Sequence, residues 1–145
     1  MGSSCQVDFY VLQDDKKSVE QLACHLAMMA WEQGMRSLVV ANSREQAAEM
    51  DQLMWSLPNG RFLPHQSSQV EGSAPVTIGT SQDLESAQTE VIINLDTQAV
   101  TRPERFKRLL ELVPARDADR KASRIKFKAY REIGLDPVSH NMNNR

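Results

Sequence analysis

The stretch that decides the fold is residues 37–50, SLVVANSREQAAEM. Its first five residues form a short, continuous apolar run, which is typical of a strand covered on both faces in a parallel sheet. Asn42 and Ser43 follow directly as a helix N-terminal cap, and Gln46 completes a capping box with Ser43. A buried strand that leads straight into a capped helix predicts an α/β fold.

The same strand-then-helix pattern precedes this stretch. Residues 7–12, VDFYVL, are rich in strand formers. Ser18 and Gln21 then form another capping box before apolar residues at helical spacing, and Gly34 supplies a C-terminal stop. Two successive strand–helix units predict a three-layer Rossmann-like fold, with a mostly parallel central sheet and helices on both faces.

The second half of the chain supplies the remaining elements. Strands are predicted at 76–78 and 91–95, and 66–74 is predicted to be a polar loop after Pro64, which disfavours a long central strand. Two helices are predicted, one at 101–113, where Pro103 and Glu104 indicate an N-terminus, and one at 119–133, which Gly134 ends. We therefore expect a single domain over 1–145, with an ordered core at 5–137 and a short polar C-terminal tail.

Length and composition limit the class of protein. A chain of 145 residues that is 41% hydrophobic can bury a core without disulfide or metal cross-links. Cys5 and Cys24 have neither metal-ligand nor redox spacing, which favours a reducing compartment. No apolar stretch approaches the ~20 residues that a membrane span needs. We expect a cytoplasmic protein with no membrane segment.

Positive charge is concentrated in one part of the chain. The net charge is −2, yet residues 102–131 hold eleven Lys/Arg against four Asp/Glu. Proteins that coat nucleic acid unspecifically usually carry a large overall positive charge. The local excess therefore predicts one acidic or phosphate-bearing partner that binds the C-terminal third.

A helical wheel of the last helix, at about 100° per residue, separates two faces. The apolar face, which we expect to be buried, contains Ala122, Ile125, Ala129 and Ile133. The opposite face is a basic stripe, which we define as Arg120, Arg124, Lys128 and Arg131, with Lys121 at its margin and Phe127 within it.

Two interpretations of the stripe stay open. A basic helix face is most often simply solvated. An exposed Phe127 among cations would instead suit an acidic peptide with a hydrophobic end, or a single strand that stacks one base. Phe127 buried under a neighbouring loop is the alternative, since large apolar side chains are mostly buried.

Trp55 and Phe62 border the Pro58-Asn59-Gly60 turn and could share one surface. Aromatic residues close together at the end of an element are typical interface anchors. They are equally typical of a core that is sealed beneath a turn. The sequence does not separate these two alternatives.

Catalytic and cofactor motifs are missing from the sequence. The turn after the first strand, residues 13–17, contains no glycine that would let a phosphate approach the backbone, and Asp14 and Asp15 would repel phosphate there. His25, His65 and His140 form no metal-binding pair. We expect no cofactor, no metal and no enzymatic activity.

Several segments together resemble the chi subunit family of DNA polymerase III, over roughly residues 5–137. The segments are VDFYVL at 7–12, VEQLAC at 19–24, LMW at 53–55, FLPH at 62–65 and FKAYR at 127–131. The resemblance implies a non-catalytic clamp-loader accessory protein in DNA replication that pairs with the psi subunit. It also implies a second partner, the acidic, phenylalanine-ended C-terminal tail of single-stranded-DNA-binding protein, with DNA contacted mainly indirectly.

The resemblance also implies roles for individual residues. The tail site would comprise Val113, Arg120, Arg124, Phe127, Lys128 and Arg131. Trp55 and Phe62 would contact psi, or a repair helicase that can replace psi. The main alternative from a different class is a direct single-stranded nucleic-acid binder that uses the same basic helix. An enzyme with a nucleotide-like pocket is a more distant alternative.

Overall fold

The computed structural model describes residues 5–16, 18–57 and 61–142. In these ranges three helices are present, α1 (Val19–Glu32), α2 (Arg44–Trp55) and α3 (Asp117–Glu132). The strands in the same ranges are β1 (Gln6–Leu12), β2 (Ser37–Ala41), β3 (His65–Ser67), β4 (Val76–Thr80), β5 (Val91–Asn94), β6 (Arg108–Val113) and β7 (Val138–Met142).

All seven strands belong to one sheet, in the order β3-β4-β2-β5-β6-β1-β7. Every strand pair is parallel. The predicted Rossmann-like architecture with a mostly parallel sheet is confirmed. In the described part of the chain, no helix has the length and apolar character needed to cross a membrane.

Helices cover both faces of the sheet because the strand side chains alternate in direction. Val39 and Ile93 pack in a buried cluster with α1 and α2. Their neighbours Val40 and Ile92 pack in a second cluster, which includes Tyr130 of α3. The prediction of helices on both faces is confirmed, with two helices on one side and one on the other.

The predicted helix starts are present in the first two helices. The Ser18 hydroxyl accepts a bond from the Gln21 amide at 3.1 Å, and the Gln21 side chain accepts one from the Ser18 amide at 3.0 Å. In α2 the Ser43 hydroxyl caps Gln46, whose side chain accepts from the Asn42 amide instead of the Ser43 amide. Gly34 has a φ of 77°, in the left-handed region that favours glycine after a helix.

The predicted helix at 101–113 is wrong. Pro103–Arg105 forms only a short 3-10 helix, and Arg108–Val113 then forms β6, in the interior of the sheet between β5 and β1. Leu109, Leu110 and Leu112 are buried on alternating faces, as expected of a strand covered on both sides. Glu111 interrupts this apolar run, so the sequence lacks the continuous apolar pattern that predicts a buried strand.

Part of the segment that we expected to be a polar tail, Val138–Met142, forms β7 instead. This strand lies at the edge of the sheet and pairs with β1, with Tyr10 opposite His140 and Val11 opposite Asn141. At the other edge, β3 has only three residues directly after Pro64, as the proline predicts. The remainder of the predicted loop at 66–74 contains no further strand.

Candidate functional site

The orientation of α3 differs from the one that the wheel predicts. Ile125 is 70% exposed and Ile133 is 56% exposed, although both were placed on the buried face. Lys126 and Tyr130 are buried instead, at 5% and 1% exposure. The predicted apolar face is therefore wrong, and α3 packs on the sheet through a lysine and a tyrosine.

The partner of these two side chains is Glu111 of β6, whose side chain is fully buried. The Lys126 ammonium lies 2.7 Å from Glu111 Oε1, and Lys126 also donates to the Asp96 carbonyl. The Tyr130 hydroxyl and the Asn94 amide both donate to Glu111 Oε2. Both carboxylate oxygens therefore have donors, which offsets the cost of burying the charge.

Burial shifts the ionisation of this buried group. It raises the pKa of Glu111 above its ordinary value, and the Lys126 charge and the hydrogen bonds from Asn94, Lys126 and Tyr130 offset part of the rise. Burial, followed by the neighbouring Glu111, also raises the pKa of Tyr130. The Tyr130 hydroxyl thus stays protonated and donates to Glu111, while it accepts a bond from the Val100 amide at 2.8 Å.

Because α3 packs in this way, the basic stripe borders an open cleft between α3 and the β1–β7 edge of the sheet. We call this feature the basic cleft, and its volume is about 630 Å³. The residues that line it are Phe9, Val11, Arg120, Ser123, Arg124, Phe127, Lys128, Arg131, Glu132, Ser139 and Asn141. Five of the six residues proposed for the tail site are therefore brought together, and Val113 is not among them.

Val113 lies in the core, at 3% exposure. It belongs to the interior strand β6, beneath α3, and packs in the same cluster as Phe9 and Tyr130. Its neighbour in the sheet is Val11 of β1, one strand closer to the edge, which does line the cleft. The apolar floor of the cleft thus comes from β1.

Phe127 combines features of both alternatives considered from the sequence. The side chain is half-buried, and its ring packs against Phe9 with ring centroids 5.3 Å apart and an interplanar angle of 47°. It also lines the cleft. Phe127 is therefore part of a fixed apolar wall, not a freely exposed ring among cations.

The cations of the stripe differ in their environment. Arg120 is half-buried and donates to the Leu12 carbonyl at 3.2 Å, which holds it at the end of β1. Arg124, Lys128 and Arg131 are exposed, and none of them forms an ion pair with any residue in 5–16, 18–57 or 61–142. Three cations beside an apolar floor can receive an anion that carries a hydrophobic group.

Six cleft residues were missed from the sequence: Ser123 and Glu132 on α3, and Phe9, Val11, Ser139 and Asn141 on β1 and β7. Phe9 and Val11 are two residues apart in β1, so their side chains point to the same face of the sheet. Nothing in the sequence shows that α3 packs on that face. Ser139 and Asn141 belong to β7, whose polar composition has no strand signal. The residues of β1 and of β7 enter the cleft only because segments that are distant in sequence pack together.

A second polar cluster holds β7 on β1. The Asp8 carboxylate accepts bonds from His140 at 2.8 Å, Gln6 at 3.0 Å and Arg108 at 3.2 Å. Burial by itself would raise the pKa of Asp8, but these bonds and the charge of Arg108 hold it below its ordinary value. Because side chains alternate along a strand, His140 and the cleft residues Ser139 and Asn141 point to opposite faces of β7.

Trp55 and Phe62 form a separate aromatic surface. Trp55 is 62% exposed and Phe62 is 57% exposed, so the alternative in which they seal the core is wrong. Their ring centroids are 6.1 Å apart, and the Trp55 ring also meets His65 edge-on at 4.8 Å. The turn at 58–60 that we expected to join them lies outside the described residues.

The crevice at the carboxyl ends of the central strands is acidic. Asp14, Asp15, Glu20 and Asp119 line it, with Arg116 as a cation. This environment disfavours a phosphate group at the start of α1. Among the residues described, no group of three or more His, Cys, Asp or Glu is placed to hold a metal ion.

Comparison with known proteins identifies relatives over nearly the whole chain. The family described as "DNA polymerase III chi subunit, HolC" has a model that matches residues 5–138. DNA polymerase III subunit chi of Pseudomonas aeruginosa is 35% identical over 138 residues, which cover 94% of this chain and 96% of that protein. DNA polymerase III subunit chi of Escherichia coli strain K12 is 31% identical over 135 residues, covering 88% of this chain and 92% of that protein.

Among solved structures, the C-terminal domain of the DEAD-box protein Dbp5 has a similar fold. Its TM-score is 0.62 at 10% sequence identity, and the match covers 94% of this chain and 91% of that chain. At such low identity the similarity concerns the α/β fold alone.

Proposed function

Since the chain belongs to the chi subunit family of DNA polymerase III, a family of replication accessory subunits, we propose that it is a non-catalytic bridge within the clamp loader. In this role it links the psi subunit to the acidic C-terminal tail of single-stranded-DNA-binding protein. The tail binds in the basic cleft, and psi, or a repair helicase in its place, binds the aromatic surface.

The observation that carries the proposal is the composition of the basic cleft. Arg124, Lys128 and Arg131 are exposed cations without ion pairs among the described residues, and Phe9, Val11 and Phe127 supply an apolar floor and wall beside them. A peptide that ends in phenylalanine carries a terminal carboxylate and a ring on the same residue. The cleft can receive both groups at once, while upstream acidic side chains meet the remaining cations.

Arg124 is the residue that we assign to the terminal carboxylate, because an arginine can pair with a carboxylate through two parallel bonds. The side chain is exposed and lines the cleft, so Arg124→Ala should leave the fold intact. It should remove most of the tail affinity, since a hydrogen bond to a charged group contributes about 1.5–3 kcal/mol. Arg124→Lys should restore only part, because an ammonium cannot make the planar two-bond contact.

Calorimetric titration of an acidic peptide ending in phenylalanine, and of its C-terminal amide, tests this assignment. The amide should bind the wild-type protein much more weakly than the free acid, and should differ little from it with Arg124→Ala, as expected of a direct pair. Lys121→Ala is the matched control, since Lys121 is an exposed cation on α3 that does not line the cleft. Equal losses from amidation in wild type and Arg124→Ala would place the carboxylate elsewhere.

Direct binding of single-stranded nucleic acid by the same helix is the second candidate. It requires an aromatic ring free to stack on a base, whereas Phe127 is half-buried against Phe9. An oligonucleotide titrated in the same salt should therefore bind more weakly than the peptide. Tighter binding of the oligonucleotide would favour the second candidate.

A further inference from the structure

Helix α3 has two faces that could pack on the sheet. One is the apolar face with Ala122, Ile125 and Ala129, which the helical pattern alone favours. The other is the face with Lys126 and Tyr130, which is the one that packs. One residue along a helix corresponds to a rotation of about 100°, so the two arrangements differ by about a quarter turn of α3.

The sheet beneath α3 distinguishes between these faces through Glu111. Its carboxylate is fully buried, and among the described residues its hydrogen-bond donors are Lys126, Tyr130 and Asn94. Two of the three are on α3. If Ile125 and Ala129 faced the sheet, the carboxylate would lose both, and a buried charge without partners is strongly unfavourable.

The loop before β6 adds to this selection. Lys126 donates to the carbonyl of Asp96, and the Tyr130 hydroxyl accepts from the amide of Val100 at 2.8 Å. Asn94 connects the same loop to the carboxylate, since its amide donates both to Glu111 and to the Gln98 carbonyl. The observed rotation of α3 therefore satisfies buried groups from two elements, which the apolar face has no polar atoms to do.

The rotation of α3 also decides where the basic stripe lies. Arg124, Lys128 and Arg131 border the cleft only while Lys126 and Tyr130 point at the sheet. A quarter turn that buries Ile125 would move these cations away from the floor formed by Phe9 and Val11.

We propose that Glu111 is a positioning residue: its buried carboxylate selects the Lys126–Tyr130 face of α3 over the Ile125 face, and so holds the basic stripe over the cleft. The selection of the face stands on the buried contacts alone. Its consequence for the acidic tail rests on the function proposed above.

Thiol labelling measures the rotation directly. Ile125→Cys places a thiol on the exposed apolar face, and His25→Cys places a control thiol on the exposed side of α1. The natural thiols of Cys5 and Cys24 are buried, and burial raises the pKa of each to about 11, so they should react slowly. In the wild-type background both introduced thiols should react rapidly.

Glu111→Leu removes the selecting carboxylate and leaves an apolar strand surface. Labelling at Ile125→Cys should then slow at least tenfold, while labelling at His25→Cys stays within twofold. Adding Lys126→Met should restore fast labelling, because the face with a methionine and Tyr130 then buries more apolar area than the face with the alanines and the thiol introduced at position 125. A folded Glu111→Leu protein with unchanged labelling at Ile125→Cys overturns the proposal.

Glu111→Gln provides a conservative second variant should the leucine protein not fold, which circular dichroism will show. It keeps the shape of the side chain but no longer neutralises Lys126, so labelling at Ile125→Cys should slow at least threefold; an unchanged rate overturns the proposal.

In calorimetry, the acidic peptide should bind Glu111→Leu at least tenfold more weakly, and adding Lys126→Met should restore affinity to within about threefold. If the peptide does not bind the wild-type protein, the proposed function fails while labelling still decides the role of Glu111.

Discussion

The basic cleft and the aromatic surface lie at opposite edges of the sheet. The cleft is at the β1–β7 edge, whereas Trp55 and Phe62 lie near β3, six strand spacings away. At about 4.8 Å per spacing, the two edges are roughly 29 Å apart. The helices involved, α3 and α2, also pack on opposite faces of the sheet. Two surfaces so separated can bind two partners at once, which is what a bridging subunit requires.

The two surfaces also differ in how the fold supports them. The aromatic surface consists of rings that project from the end of α2 and the segment before β3, and both rings are more than half exposed. The cleft depends on a buried ion pair that orients α3. Substitution of Trp55 or Phe62 should therefore change binding with little effect on stability, whereas substitution of the buried Lys126 or Glu111 beneath the cleft should change both.

Lys126→Ala should produce the largest effect on stability. It leaves the Glu111 carboxylate buried without its cation, and breaking a buried pair in this way costs about 3–5 kcal/mol. Urea unfolding followed by circular dichroism measures the loss. Lys128→Ala is the matched control, since Lys128 is exposed on the same helix and should change stability by less than about 0.5 kcal/mol. If the two variants were equally stable, the buried pair of Lys126 and Glu111 would not be what stabilises α3 beside the cleft.

Trp55→Ala should produce the next largest effect, on binding to psi. Truncation of an interface anchor commonly costs about 2 kcal/mol or more, and Phe62→Ala should act in the same direction. Affinity for the acidic peptide should not change, because the cleft lies at the other edge of the sheet. Calorimetry with purified psi and with the peptide checks both parts. A similar loss for both ligands would contradict two independent surfaces.

The smallest effect should come from Asp8, on the opposite face of β1 from the cleft. Since its pKa in the folded protein is below the ordinary value of 3.8, its stabilising contribution is present above that value and is lost as the pH falls through the lower, folded value. Asp8→Asn should cost about 1 kcal/mol at neutral pH, the usual net value of a hydrogen bond. It should also reduce the loss of stability in acid.

Urea unfolding of wild type and Asp8→Asn at neutral pH and at decreasing acid pH values is the measurement. The two curves of stability against pH should converge as the pH falls below 3.8. Parallel curves would show that Asp8 does not contribute to holding β7 at this edge through its charge.

Parts of the candidate site could be predicted from the sequence. Arg124, Lys128 and Phe127 share a side of the helical wheel because α-helix geometry is regular, and the structure places all three in one cleft. Val113 was expected in the site and is in the core, because the segment before α3 is a strand where we predicted a helix. The β7 residues of the cleft had no local signal, since an edge strand with little apolar character is defined by the strand it pairs with.

Local pattern was sufficient for β1, β2 and the starts of α1 and α2, because caps and apolar runs act over only a few residues. The rotation of α3 was decided by tertiary structure. On the helix alone, Ile125 should be buried and Lys126 exposed; the reverse holds because Glu111, fifteen residues earlier on β6, is buried beneath the helix and needs the ammonium of Lys126 and the hydroxyl of Tyr130.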